Sequence, residues 1–272
     1  MHTDRRCRSG LVVFLMAVPI CDACVGSTGS DLVEFQAFAA GPADAHQGQP
    51  LDFVTGRGFH VVLTRAKVHV GAVYLNQSVP TSGAQATSCV LPGIYVAEVT
   101  SGLDIDALSP SLQPFSTTGH GTAVRALAGE VWLMGTKDVN AQDDTTVLFD
   151  LAGAADGGGK QYPFEARFTI GKNRIVPPKD PSTPGTSPLC KQRVVSPIPI
   201  NMTPRSGGAL VVRIDPRGWF TNVDFSQLAP ASGDPPIHQF VDGPADPASN
   251  NLYLGMHASQ GVYSFDWSTD SP

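Results

Sequence analysis

Six histidines stand beyond the first two dozen residues: His46, His60, His69, His120, His238 and His257. Neutral imidazole is a common ligand for copper and zinc, and exported β-proteins gather such ligands from strands and loops distant in sequence. No local metal spacing accompanies them. There is no His-Glu-x-x-His, no paired His-x-His and no Cys-His-Met cluster of the blue-copper kind. A metal site would therefore have to be assembled by the fold. The set with the best prospects is His60, His120, His238 and His257, with Met256 as a soft ligand for copper. His120 lies between two glycines in a Thr-Thr-Gly-His-Gly-Thr stretch, and His257 follows Met256, both on segments that read as loops. His60 and His69 fall in one apolar-rich run. A hairpin between them would need a turn at Thr64 and Arg65, which lack the Gly, Asn or Asp that positive φ requires. One long strand is the better reading, and without a bulge it points the two rings to opposite faces.

Other chemistries have weaker support. Asp138, Asn140, Asp143 and Asp144 place oxygens in one loop, the ligand type calcium prefers, yet no glycine stands sixth and no Glu closes the loop. A solvated turn is expected there. No Gly-x-Ser-x-Gly elbow is present, and His120 has no identifiable catalytic partner, so a hydrolase is disfavoured. Paired glycosidase carboxylates would lie on separate strands and leave no local signature. Trp219, Trp267, Tyr253 and Tyr263 could stack on sugar rings, although core packing is the default for such residues.

The elements that must carry these residues read as strands. Phe164, Ala166, Phe168 and Ile170 alternate with Glu165, Arg167 and Thr169, the period of a strand buried on one face. Similar runs cover 33–39, 59–75, 94–100, 130–134, 146–151, 193–200, 209–214, 219–225 and 262–267. Pro197 and Pro199 assign the 193–200 run to a sheet edge. Turn chemistry separates the runs, as at Asp156, Gly157, Gly158 and Gly159. Short helical turns are expected at 104–108 and 250–256. The longest loops are expected at 40–57, 101–122, 171–191 and 226–250, of which 171–191 is the best break in the chain. The expected fold is all-β, a single β-sandwich or Greek-key-like domain over 31–272 with long Pro/Gly-rich loops and little helix.

Composition agrees. Charged residues make up 15% of the 272, against 28 Gly and 23 Pro, a balance that favours turns over helices. At the start, Arg5, Arg6 and Arg8 precede an uncharged apolar run at 11–20. This is the secretory pattern, and at about ten residues the run is too short for a bilayer core that takes about 20. Losing residues 1–23 removes three of the 18 basic and two of the 24 acidic residues, leaving 15 and 22 and a net charge near −7. With no Lys/Arg cluster, nucleic acid is excluded as a partner.

The end of this signal resembles the lipobox of bacterial secretory lipoproteins, with Cys24 behind Cys21, Asp22 and Ala23, and Cys21 behind Val18, Pro19 and Ile20. Asp22 and Ile20 depart from that pattern. The resemblance implies a cleaved signal over 1–23, lipid on Cys24, a flexible tether at 24–30 and a membrane-anchored protein of the outer membrane or periplasm. Ordinary cleavage and free secretion remain the alternative. With Cys24 acylated or removed, Cys89 and Cys190 are the remaining thiols, and in an oxidising compartment they are expected to pair. The disulfide would close a loop of about 100 residues, worth up to ~4–5 kcal/mol in the chain-entropy model. The functional expectation is a non-enzymatic envelope protein binding a ligand or partner through its loops, with copper or zinc on histidines as its sharpest form. An exported carbohydrate-binding or hydrolytic module and a structural envelope component are the alternatives.

Overall fold

The computed structural model describes residues 31–78, 93–141, 144–171, 189–243 and 246–269. Cys21, Cys24, Cys89 and Asp143, with the signal and the tether, lie outside them. The chain is all-β. Its strands are β1 (Leu32–Ala40), β2 (Leu51–Val54), β3 (His60–Val70), β4 (Ala72–Asn76), β5 (Tyr95–Val99), β6 (Leu103–Asp106), β7 (Gln113–Pro114), β8 (Gly119–Thr122), β9 (Ala126–Trp132), β10 (Phe149–Gly157), β11 (Lys160–Phe168), β12 (Val194–Met202), β13 (Ala209–Ile214), β14 (His238–Phe240) and β15 (Tyr263–Ser268). Among the described residues helix is confined to the turn α1 (Cys190–Arg193) and to α2 (Pro247–Met256), with two short 3-10 segments at Pro216–Phe220 and Phe225–Gln227.

The strands form two sheets. The first runs β12-β9-β4-β5-β8-β1-β13-β15, with β7 also pairing β1; the second runs β14-β11-β10-β3-β2, with β6 on β3. Gly129 of β9 faces the ring of Phe265 of β15, so the first sheet curls until its two ends approach each other. One apolar cluster joins the sheets through Phe35 and Leu75 of the first and Leu63, Phe149, Phe164 and Phe168 of the second. A smaller cluster of Ala72, Met134, Val139, Cys190 and Val194 lies apart from it, with Tyr74 and Trp132 packed against it.

Local chemistry accounts for much of this. Gly158 and Gly159 both adopt positive φ, 59° and 73°, and form the two-residue turn between β10 and β11. Such a turn suits the twist of the strands it joins, and glycine takes it without a Cβ penalty. The Pro-containing β12 ends the first sheet, as expected of an edge. Asp246 caps α2 by accepting from the Ser249 N–H at 2.9 Å, with Pro247 following.

The structure differs from the sequence expectations at several points. The 59–75 run is two strands in different sheets, divided at Gly71, where any Cβ would collide with the Met134 carbonyl. Within β3, Leu63 pairs with Gly153 and Arg65 with Ala152, so Thr64 is an extra residue, a β-bulge. Buried residues are therefore Val61 and Leu63 before the bulge but Ala66, Val68 and Val70 after it. The bulge puts His60 and His69 on the same outer face rather than on opposite ones. The expected strand at 219–225 is instead the two 3-10 segments. Asp215 accepts from the Arg217 N–H and Asp224 from the Ser226 N–H, each turning the chain before alternation can begin. Trp219, Phe220, Val223 and Phe225 are all fully buried, with Trp219 edge-on to Phe149 at 5.4 Å. The turn expected at 104–108 is largely β6, and the expected loops at 40–57, 101–122 and 226–250 carry β2, β6, β7, β8 and β14. These strands are two to four residues long, too short for period-two alternation to be read.

Candidate functional site

The four selected histidines fall in four places. His60 begins β3 on the exposed face of the second sheet, its Nε2 2.6 Å from Asp52 Oδ1 and its Nδ1 4.0 Å from Asp156 Oδ2. His238 is on the short β14, its Nδ1 2.7 Å from the Ala229 carbonyl and its ring 5.5 Å from that of Tyr162. His257 follows α2, with Nε2 shielded from solvent and lacking a hydrogen bond. Burial holds its pKa below the usual 6.5, while backbone groups of Val194 and Lys191 act in the opposite direction. Met256 is fully buried in the main core. His120 is on β8, on the outer face of the first sheet. Among the described residues no three His, Cys, Asp or Glu side chains gather as a metal-holding group.

The glycines beside His120 have a packing role. A Cβ at Gly119 would enter the Phe35 ring, and one at Gly121 would meet Val96 and Ala97. Both glycines face inward and let β8 lie close over the core, so His120 projects outward from a paired strand. Its cross-strand partners are Glu98 on β5 and Glu34 on β1. Thr118 Oγ1 donates to Glu34 Oε1 at 2.8 Å and stands 3.4 Å from His120 Nε2.

This row continues across the sheet. Glu98 pairs with Tyr74 on β4, and Tyr74 with Glu130 on β9. Glu130 is fully buried, and its carboxylate accepts four hydrogen bonds: Asn76 Nδ2 at 2.8 Å and Ser196 Oγ at 3.2 Å on Oε1, Trp132 Nε1 at 2.9 Å and Tyr95 OH at 3.2 Å on Oε2. Four donors saturate a carboxylate, which is how a buried charge is accommodated. The rings above it pack in series, Tyr95 to Tyr74 at 5.0 Å and Tyr74 to Trp132 at 4.6 Å. Burial raises the Tyr95 hydroxyl well above its usual pKa, and the Glu130 charge adds to that. Burial likewise raises Tyr74, with Glu98 and Glu130 contributing. Both phenols therefore stay neutral at physiological pH.

Beside this network β5 and β8 splay apart. Only Ala97 with Gly121 and Glu98 with His120 pair between them. The opening is a groove of about 350 Å³ lined by Leu32, Tyr95, Val96, Glu98, His120 and Thr122, with Val33, Ala97 and Gly121 at its base. Leu32 is 85% exposed, Tyr95 40% and the adjacent Ile94 61%; elsewhere among the described residues only Val54, Val241 and Leu254 are large, apolar and exposed. Concentrated apolar exposure of this kind marks an interaction site more often than scattered single residues do.

A second cleft of about 420 Å³ lies between Asp44, Arg213, Asp215, Arg217 and Tyr263. Both of its cations are engaged: Arg217 donates to both oxygens of Asp44 at 2.8 and 3.0 Å and to Asp215 at 2.7–3.0 Å, and Arg213 donates to the Gly41 carbonyl at 3.2 Å. Those contacts raise Arg217 above its ordinary pKa, and the Arg217 hydrogen bond lowers Asp44. The cleft is thus a clamp between the 41–45 turn and the first 3-10 segment.

The carboxylate loop is also structural, and less solvated than expected. Asp138 Oδ1 accepts from the Asn140 N–H, and Asn140 Oδ1 from the Cys190 N–H. Asp144 is buried 3.9 Å from the fully buried Arg193. Burial alone would raise Asp144, but hydrogen bonds from Thr146 and Gly135 and the Arg193 charge bring its pKa below the ordinary value. Of the four proposed sugar-stacking aromatics, Trp219, Tyr253 and Tyr263 are buried, the tyrosine hydroxyls donating to the carbonyls of Gln192 and Met256. Trp267 is half-buried and edge-on to Phe35 at 5.1 Å.

The sequence reading identified His120 but missed Tyr95, Glu98, Leu32 and the Glu130 network. One signal was available: Glu130 interrupts an otherwise uncharged run from Ala126 to Met134, where a carboxylate must find donors.

No protein-family model matches the chain, and no curated protein matches it. Among solved structures, MbnP from Methylosinus trichosporium is similar with a TM-score of 0.39 at 11% identity, covering 88% of this chain and 99% of that one.

Proposed function

We propose that this chain is an exported, non-enzymatic binding protein whose ligand lies in the groove between Leu32, Tyr95 and His120. The observation that carries the proposal is the meeting of Leu32 and Tyr95, exposed and apolar, at a groove that also presents Glu98, His120 and Thr122. Such pairing of an apolar surface with a few oriented polar groups is the usual composition of a ligand site. The neutral dye Nile red tests it. Its fluorescence should rise on saturable binding to the native protein and fall back with Leu32→Ser or Tyr95→Ala; a titration unchanged by both variants would refute the groove as the site.

The rest of the reading concerns location and build. Residues 1–23 are the secretory signal, Cys24 carries the lipid, 24–30 are the tether and 31–272 fold as one β-sandwich at the outer membrane or in the periplasm. Among the described residues no helix is long and apolar enough to cross a membrane. The proposed Cys89–Cys190 disulfide is in keeping with a Cys190 that is fully buried in the small apolar cluster beside β12. Intact mass of the mature protein, before and after reduction, checks both the lipid and the bond.

A copper or zinc ion is a second reading, favoured by the placement of His120 between Glu98 and Glu34 on neighbouring strands. Binding would require the three side chains to change rotamer and converge. Competition against a chromophoric chelator should show one site lost with His120→Ala and retained with His60→Ala, His238→Ala and His257→Ala. Absence of any site below the micromolar range would end the metal reading.

A further inference from the structure

The groove's occupant can be narrowed by charge and length, and this step rests on the groove reading above. Among the nine lining residues Glu98 is the sole Asp, Glu, Lys or Arg. Its carboxylate is exposed and, among the described residues, takes part in no ion pair or hydrogen bond, unlike Glu34, which accepts from Thr118, and Glu130, which is saturated. The surrounding charge has the same sign: Asp31 precedes Leu32, and Glu34 lies one strand beyond His120. The nearest basic residue along β8 and its exit, Arg125, donates to Asn201 instead.

Tyr95 adds to this bias. Its hydroxyl is committed to Glu130 and its ring packs on Tyr74, so the ring borders the groove in a fixed orientation. A neutral aromatic face attracts cations, most strongly a guanidinium. A cation entering the groove would therefore meet a free carboxylate and an immobile ring together. Leu32 stands proud of the groove at 85% exposed, and Ile94, next to Tyr95 in the chain, is 61% exposed. A ligand confined to the pocket would leave these uncovered, whereas an extended chain would cover both.

We infer that the groove accepts an extended peptide segment in which an arginine or lysine is flanked by apolar side chains, the cation resting between Glu98 and Tyr95 and the apolar neighbours on Leu32 and Ile94. Complementary charge of this kind selects partners and hastens their encounter, and it weakens with added salt.

The test uses fluorescein-labelled peptides Gly-Leu-Arg-Leu-Gly, Gly-Leu-Gln-Leu-Gly and Gly-Leu-Glu-Leu-Gly, titrated with the mature protein and read by anisotropy. The arginine peptide should bind about tenfold more tightly than the glutamate peptide at low salt, with the gap narrowing at high salt. Glu98→Gln should weaken the arginine peptide about threefold, in keeping with one partly solvated charge pair, and Glu98→Lys should reverse the preference. Equal binding of all three peptides, or a preference untouched by both Glu98 variants, overturns the cationic assignment while the Nile red result stands. Failure of every peptide together with loss of the Nile red signal removes the groove reading itself. Failure of every peptide with the Nile red signal intact shows a small apolar ligand and overturns the peptide.

Discussion

Replacing Glu130 by alanine should destabilise the protein by about 3 kcal/mol, and the figure follows from what surrounds the carboxylate. The substitution removes the common acceptor for Asn76, Ser196, Tyr95 and Trp132. Tyr95, Trp132 and Ser196 are only partly covered, so water can replace their lost bonds at little cost. Asn76 is fully buried, and its amide already has an unpartnered Oδ1; losing the partner of Nδ2 leaves both ends unsatisfied, at about 1–3 kcal/mol. The missing carboxymethylene leaves a void whose cost, at about 24 cal/mol per Å³, is about 1.5 kcal/mol for roughly 60 Å³. Against these stands relief from burying a charge, which is why four lost hydrogen bonds are not counted at full value. Urea denaturation measures the result. With a slope of about 2 kcal/mol/M the midpoint should fall by about 1.5 M at unchanged slope. Glu130→Gln should lose less than half as much, because one oxygen remains for Trp132 and Tyr95 while the new amide can face Asn76 Oδ1 after that side chain flips. A loss below about 1 kcal/mol for alanine, or glutamine no better than alanine, would refute this account of the network. Released from Glu130, Tyr95 should also lose its fixed pose, and Nile red binding should weaken in parallel.

Other substitutions probe other links of the argument. Gly119→Ala places a methyl group inside the Phe35 ring position and should cost about 1–3 kcal/mol by overpacking, read in the same denaturation assay, while an exposed control such as Gly48→Ala strains only its own positive φ of 73°. His257 is held neutral by burial, so the unfolded chain takes up a proton first as pH falls below about 6.5. Stability should therefore decline with acidification through that window, by at most about 1.4 kcal/mol per pH unit, and His257→Gln should flatten the slope; an unchanged profile would assign the acid sensitivity to other groups. Arg217→Lys keeps a charge but loses the two-sided fork to Asp44 and Asp215, and thermal melting should register a loss of about 1 kcal/mol, small because the groups are partly solvated.

The fold was legible where its signal is local. Alternation located β1, β11 and β15, a continuous apolar run located β13, the paired glycines located the β10–β11 turn, and proline marked β12 as an edge. Failures came where a local pattern carried two readings. Trp219 to Phe225 alternates as a strand does, but Asp215 and Asp224 cap short turns and all the large side chains go inward. Thr64 looks like any strand residue, yet as a bulge it reverses the inside-outside phase of everything after it and sets His60 and His69 on one face.

The site divides along the same line. Residue types, spacing and composition by themselves determined an all-β chain, with three arginines ahead of an apolar run near the start, no local metal or hydrolase motif, and no Lys/Arg cluster. Tertiary structure alone decided which residues meet: Glu130, Tyr74, Glu98, His120 and Glu34 form one row although they come from five strands spread over nearly a hundred positions. Strand register creates that row, and register follows from the sum of core contacts, such as the Phe35 ring filling the space above Gly119, rather than from the neighbours of any one residue in the chain.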